Sequence, residues 1–194
     1  MHIPTCDTAL QDIQSFSLAL EEALLPQADY DVDRWLYVPN RYCDYRYILG
    51  IRGSRPLICV GINPSTAAPN DLDNTLKSVE RIALGNGYDS FIMFNVYAQR
   101  ATRPDDMEKV CNPALHQENM AAFRWALEQT KTGTPAVWAA WGAIIEKRSG
   151  RLPAGHGGDW ERFGRLLVFR RCPLQKGTSP PSPVPAEGQQ PRFL

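Results

Sequence analysis

The sequence lacks the features of membrane and secreted proteins. Its 194 residues contain no apolar run near the ~20 residues that a membrane-spanning helix needs. The first ten residues, MHIPTCDTAL, lack the basic and apolar regions of a signal peptide. We therefore expect a cytoplasmic protein that does not bind membranes.

Metal-binding patterns are also scarce. The five cysteines include no CxxC pair, and the three histidines (His2, His116 and His156) are scattered along the chain. An odd number of unpaired cysteines indicates reduced thiols in a cytoplasmic setting. Without a cluster of ligands at zinc-site spacing, the sequence predicts neither a metal nor another cofactor.

An overall surplus of charge is absent too. The formal net charge is zero, which removes any whole-molecule electrostatic case for nucleic acid. The charge is nevertheless uneven, because residues 1–40 carry seven acidic groups against one basic group, and residues 144–176 are rich in lysine and arginine. The basic segment suits contacts with phosphate groups. It could equally be a solvated face balanced by the acidic N-terminal part.

What the chain does have is a regular alternation of apolar strands and amphipathic helices. Apolar strands are predicted at 57–62, 90–96, 136–141 and 165–172, with helices between them. Asp73 or Asn74 would cap the first of these helices, and Asn112-Pro113 would open the second. This order predicts a three-layer α/β/α domain with a central four-stranded parallel sheet.

Three regions follow from this pattern. Residues 1–40 are predicted as a helical lead-in, with a helix over 10–25. Residues 41–176 would form a single α/β domain, in which the tyrosine-rich stretch 41–52 supplies one or two strands. Residues 177–194, rich in proline, would form an irregular C-terminal loop and tail.

The most specific local feature is the run Gly61-Ile62-Asn63-Pro64-Ser65 at the end of the first apolar strand. Proline cannot donate to a strand ladder and forces the residue before it into an extended conformation. The strand must therefore end here, with polar side chains at its carboxyl end. Open α/β sheets bind their ligands at such strand ends.

Four strand ends together resemble the uracil-DNA glycosylase superfamily. They carry GINPS (61–65), Asn95 after an apolar strand, an AVWAAWGA strand followed by a polar helix, and the loop SPPSPV (179–184). The resemblance covers residues 57–184. It implies a uracil-DNA-glycosylase-like fold, recognition of a nucleobase that could be modified, and hydrolysis of its N-glycosidic bond in DNA.

A second resemblance is to a group of bacterial and phage proteins without an assigned function. It rests on RYCDYRYILGIR (41–52), NPSTA (63–67), Asp73-Asn74-Thr75 and NVYAQRAT (95–102). This group implies no activity, so the mechanism comes only from the glycosylase superfamily.

The glycosylase resemblance gives roles to the first two strand ends. Asn63 would orient the attacking water, which an amide can position but not deprotonate. Asn95 would read the base, Ser65 would leave room for a larger base, and Tyr97 would stack on it. The structural alternatives are a turn asparagine at 63 and a capping asparagine at 95. Phe94 fits the core better than a stacking role.

Other residues have more open roles. Arg100 could contact phosphate or base, or be a plain surface arginine. Asp71 and Asp73 could suggest a metal, but capping of the following helix explains them better. The remaining phosphate- or DNA-binding candidates are Lys147, Arg148 and Ser182, and Gly61, Pro64 and Gly142 would shape the loops.

The last loop departs from the superfamily pattern. Pro180 stands where the glycosylases have the histidine that stabilises the departing base, a loss that costs ~10²–10³ in rate. His156 could substitute only if the fold brings it near. Three functions therefore stay open: a DNA glycosylase, a non-catalytic nucleotide- or DNA-binding module, and an enzyme that acts on free nucleotides.

Overall fold

The computed structural model describes residues 3, 12–108, 112–130 and 135–140. Within them the chain forms a mixed five-stranded sheet with helices on both faces. The elements in chain order are α1 (Phe16–Ala23), β1 (Trp35–Val38), β2 (Ile48–Ile51), β3 (Pro56–Gly61), α2 (Asn74–Gly85), β4 (Ser90–Asn95), a 3₁₀ turn (Pro104–Asp106), α3 (Pro113–Glu128) and β5 (Val137–Ala139).

The strand order is β1-β2-β4-β3-β5. β3 pairs in parallel with β4 and β5, while β2 pairs antiparallel with β1 and β4. The prediction of parallel strands at 57–62, 90–96 and 136–141 is confirmed, and the fourth predicted strand, 165–172, lies outside the described residues. The prediction of a uniformly parallel sheet is wrong, because β1 and β2 add an antiparallel edge.

The N-terminal segment takes part in the sheet. Its helix is shorter than predicted, since Ser15 caps it by accepting a hydrogen bond from the backbone N–H of Leu18. The boundary predicted at residue 40 falls between β1 and its partner β2. The other proposed boundary, at residue 177, lies outside the described residues.

The two faces of the sheet carry different helices. α1 and α3 pack on one face, where Phe94 stacks on Phe123 at 4.7 Å between ring centroids, so the core position predicted for Phe94 is confirmed. α2 packs on the other face through Leu76, Val79 and Ala83. None of the helices among the described residues combines the length and apolarity needed to cross a membrane.

The predicted helix caps are confirmed. The carboxylate of Asp73 accepts from the backbone N–H of Leu76 at 2.9 Å and begins α2. The side chain of Asn112 accepts from the first turn of α3, with Pro113 at its start. Since the oxygens of these side chains bond N–H groups that the helix leaves free, each fixes where its helix begins.

Candidate functional site

The carboxyl ends of β3 and β4 lie next to each other. The chain leaves β3 towards α2 on one face of the sheet and leaves β4 towards α3 on the other face. Adjacent parallel strands whose connections diverge in this way open a crevice at their carboxyl ends, where ligands of α/β proteins bind. The motifs at 61–65 and 95–102 both lie at these strand ends.

The two loops that follow these strands are bonded to each other. The backbone N–H of Tyr97 donates to the carbonyl of Ile62 at 2.8 Å, and that of Ala101 donates to the carbonyl of Pro64 at 2.9 Å. These bonds continue the pairing of β3 with β4 beyond the strand ends. The two loops therefore form one connected rim at the carboxyl ends of β3 and β4.

Asn95 is the last residue of β4 and is almost completely buried, at 1% exposure. Neither its Oδ1 nor its Nδ2 has a hydrogen-bond partner among the described residues. The capping role considered for Asn95 is therefore not its role here. A buried amide without partners costs about 1–3 kcal/mol, and buried polar groups in proteins are nearly always paired. The described residues therefore leave both polar atoms of this amide available for a further hydrogen-bond partner.

Gly61, opposite Asn95 in the ladder, makes room for this amide. A Cβ atom at Gly61 would lie 2.7 Å from Oδ1 of Asn95 and 2.5 Å from Cε of Met93. Real Cβ atoms do not approach other atoms so closely, so any side chain here would displace the amide. Gly61 thus leaves room for the side chains of Asn95 and Met93, and its role in shaping a binding loop stays a prediction.

Asn63 is half-buried and has its amide nitrogen fixed. Nδ2 donates to the carbonyl of Pro64 at 3.1 Å and to that of Ala101 at 2.6 Å. The first bond is the turn contact considered for this residue, and the second joins the two loops. With Nδ2 committed to carbonyls, Oδ1 is left as an acceptor without a partner among the described residues.

The neighbours of Asn63 sit on the same rim. Pro64 is buried, and Ser65 is half-buried with its carbonyl accepting from Arg100.

Tyr97 is also half-buried, and its side chain packs against the core on the α3 face of the sheet. That packing places Tyr97 on the α3 face. The side chain of Asn95 lies on the opposite, α2 face, where it and Met93 both approach Gly61.

Arg100 is fully buried, which excludes the alternative of a plain surface arginine. It donates from Nη1 to the carbonyls of Ser65 and Ala67, and from Nη2 to the hydroxyl of Tyr37 at 2.9 Å. Its guanidinium also stacks on the ring of Tyr42, 4.2 Å from the ring centroid. These contacts place its charge under the NPSTA loop.

A second buried arginine, Arg46, was not among the predicted site residues. It is 2% exposed and donates to the same carbonyl, that of Ala67, at 2.9 Å. Burial, followed by repulsion from Arg100, lowers the pKa of Arg46 to about 9. The sequence signal was the arginine/tyrosine-rich stretch 41–52, but a lone arginine in a sequence is ordinarily expected at the surface.

The two acidic residues after the NPSTA loop have structural positions. Asp73 caps α2, and the backbone of Asp71 pairs with that of Ala68. No cluster of three or more histidine, cysteine or acidic side chains suited to a metal occurs among the described residues. The capping interpretation of Asp73 is confirmed.

The remaining predicted site residues lie outside the described residues. They are Gly142, Lys147, Arg148 and Ser182, together with Pro180 and His156 of the last two loops. The site is therefore built from the first two strand ends and from the segment around residues 42–46. It joins the four motifs RYCDYRYILGIR, NPSTA, Asp-Asn-Thr and NVYAQRAT in space.

Comparison with curated proteins and with solved structures gives no match. A family model does match, over residues 46–154, which is more than half of the chain and includes both loops of the site. The predicted resemblance to a protein family without an assigned function is confirmed by this match. The resemblance to the uracil-DNA glycosylase superfamily stays a prediction. The chain belongs to the family described as "Protein of unknown function (DUF1643)".

Proposed function

We propose that the chain recognises a nucleobase at the carboxyl ends of β3 and β4, with Asn95 as the residue that reads the base. One observation carries the proposal: the carboxamide of Asn95 is buried, and neither of its polar atoms has a partner among the described residues. An amide offers a donor and an acceptor side by side. The O4 and N3–H edge of a uracil-type pyrimidine offers the complementary pair.

The surroundings of Asn95 support a flat ligand. Gly61 has no side chain to displace Oδ1, and the loops after β3 and β4 begin at the end of the sheet where ligands of α/β proteins bind. Ser65 adds only a small side chain at the rim. The proposal therefore favours a pyrimidine and tolerates a substituent on its ring.

Asn63 supports a hydrolytic step in the same crevice. Its Nδ2 is held by two carbonyls, which leaves Oδ1 to accept a hydrogen bond from a water. The oxygen of that water would bond to C1′ of the sugar as the C1′–N bond breaks and its electron pair leaves with the base. The proton of the water would pass to solvent, because an amide cannot hold it. Hydrolysis by this route is slow.

Binding tests the proposal first. Calorimetry with uracil-, thymine-, cytosine- and hypoxanthine-containing nucleotides should give binding to the wild-type chain and at least a tenfold weaker affinity for Asn95→Leu, a loss of about 1.4 kcal/mol. Asn119→Leu is the matched control, since this buried amide lies under the opposite face and donates to the carbonyls of Asn95 and Val96. Equal affinities of wild type and Asn95→Leu would contradict the proposal.

Cleavage tests the hydrolytic step separately. Oligonucleotides carrying uracil, hypoxanthine or modified pyrimidines should acquire abasic sites on incubation with the wild-type chain, and Asn63→Ala should abolish this while leaving binding intact. Binding without cleavage across the panel would leave the non-catalytic module. Cleavage of free nucleotides but not of oligonucleotides would identify the third alternative.

A further inference from the structure

Two buried guanidinium groups lie side by side beneath the NPSTA loop. Arg46 and Arg100 share the carbonyl of Ala67 as an acceptor, at 2.9 and 3.2 Å, so their charged groups are neighbours. Both side chains are nearly or fully inaccessible to solvent. Like charges this close repel each other, and a buried charge is costly unless an opposite charge accompanies it.

The described part of the chain supplies no such opposite charge. None of its carboxylates lies within ion-pair distance of either guanidinium, and the one that attracts Arg46, that of Asp73, already caps α2. The Nε–H groups of both arginines are buried and donate to nothing among the described residues. Two unused donors on two adjacent cations are the complement of an anion with several oxygens.

We propose that Arg46 and Arg100 form a binding site for a phosphate group, whose oxygens accept hydrogen bonds from the two free Nε–H groups. Arginine suits this ligand because its planar fork matches phosphate geometry and keeps its charge when buried. The bonds from the Nη atoms to the carbonyls of Ser65 and Ala67 stay in place, so the phosphate is bound without loosening the loop.

Access to this site lies beside Tyr42. Its ring stacks on the guanidinium of Arg100 and is itself half-exposed, at 50%. The cation–π contact partly offsets the charge of Arg100 while no anion is bound. Displacement of this ring would uncover the guanidinium on which it stacks, that of Arg100.

The phosphate site does not depend on the base-reading role of Asn95, because inorganic phosphate is enough to probe it. Titration of the full chain with phosphate should give saturable binding, and Arg46→Met should weaken it about tenfold or more, the loss expected for one charge-assisted hydrogen bond. Arg81→Met is the matched control. It removes the same charge from an exposed position on α2 and should leave phosphate binding unchanged.

Two measurements keep the test valid if Arg46→Met folds poorly. Phosphate should raise the unfolding temperature of the wild-type chain, while chloride at the same ionic strength should not. Tyr42→Ala, which keeps both arginines, should bind phosphate at least as tightly as wild type. The absence of a phosphate-specific shift, equal affinities of Arg46→Met and Arg81→Met, or a tenfold loss in Tyr42→Ala would each overturn the proposal.

The source of the phosphate follows from further titrations. A nucleoside 5′-monophosphate that binds more tightly than an abasic single-stranded oligonucleotide would identify free nucleotides, and the reverse order would identify the DNA backbone. Arg46→Met should weaken whichever of the two binds. Loss of base selectivity in Asn95→Leu with phosphate binding retained would separate the two sites.

Discussion

The amide of Asn95 is buried and has no hydrogen-bond partner among the described residues, an arrangement that lowers the stability of a fold. Desolvation of such a group costs about 1–3 kcal/mol that no hydrogen bond returns. Gly61 has no side chain to press on this amide, since a Cβ there would lie 2.7 Å from its Oδ1. The proposed base-reading role would account for a buried polar group that costs stability in the free protein.

Replacement of Asn95 by leucine, a side chain of similar shape, should therefore stabilise the free protein. We expect the free energy of unfolding to rise by about 1–3 kcal/mol, because the unpaired polar atoms are removed. Urea denaturation of both proteins measures the difference. In Asn119→Leu the hydrogen bonds to the carbonyls of Asn95 and Val96 are lost, so that control should be destabilised.

The residues of the site were predictable to different degrees. Asn63 and Asn95 could be found because proline and the end of an apolar run mark strand ends in the sequence. Arg46 and the burial of Arg100 could not, because the partners that bury them, Tyr37 and Ala67, are far away along the chain. Local sequence carries no record of such long-range contacts.

At the scale of the elements, the sequence predicts the parallel unit β3–α2–β4 but not the antiparallel edge formed by β1 and β2. Alternating strands and helices predict parallel neighbours, since each crossover needs its helix. β1 and β2 are four residues each and lack a helix between them. The stretch 41–52 indicated a strand or two, but nothing in it gives a strand's direction or its place beside β4.

Gly61 lets the side chains of Met93 and Asn95 on β4 pack closely against β3. Gly61→Ala should destabilise the protein by about 1–3 kcal/mol, because the new methyl group collides with Met93 and Asn95. It should also weaken nucleotide binding by displacing the amide. Thermal unfolding and calorimetry check both effects.

Gly85 provides the matched control for Gly61→Ala. It lies at the end of α2, and a Cβ there meets no atom within 4 Å. Gly85→Ala should be neutral or stabilising by up to about 1 kcal/mol, because alanine favours helix. Equal losses of stability in both variants would contradict the proposed packing.

At the opposite ends of the same two strands, Asp89 joins the chain before β3 to the start of β4. Its carboxylate accepts from the hydroxyls of Ser54 and Ser90 and from the backbone N–H groups of Ser54 and Arg55. These bonds, those from the Ser54 and Ser90 hydroxyls foremost, hold the pKa of Asp89 well below its usual range. The contribution of the Asp89 carboxylate to the free energy of unfolding is therefore present at neutral pH and is lost as the pH falls below about 4.

Asp89→Asn should lower the free energy of unfolding by about 1 kcal/mol at pH 7, a modest effect because the carboxylate is exposed. The difference in the free energy of unfolding between Asp89→Asn and wild type should shrink as the pH falls towards 3. Denaturation at several pH values measures it, with the exposed Asp33→Asn as control. A difference that stays constant with pH would exclude the charged hydrogen bonds as its cause.

At the scale of the whole molecule, the fold brings separate stretches of chain to one place. The loops after β3 and β4 and the segment around residues 42–46 meet at the carboxyl ends of the central strands. They bring Asn63, Asn95 and two buried arginines to the same end of the sheet. The molecule as a whole is electrically neutral, so the proposed recognition of an anion would rest on a local arrangement of charge.

Thermal unfolding of wild type and Asn95→Leu, with and without a pyrimidine nucleotide, tests the central claim most directly. Without ligand, Asn95→Leu should unfold a few degrees higher, at about 2–4 °C per kcal/mol for a chain of this size. With ligand at about 100 times its dissociation constant, the free energy of unfolding should rise only for wild type, by about 2.7 kcal/mol. Equal ligand-induced shifts in the two proteins, or a less stable Asn95→Leu, would contradict a base-reading role for Asn95.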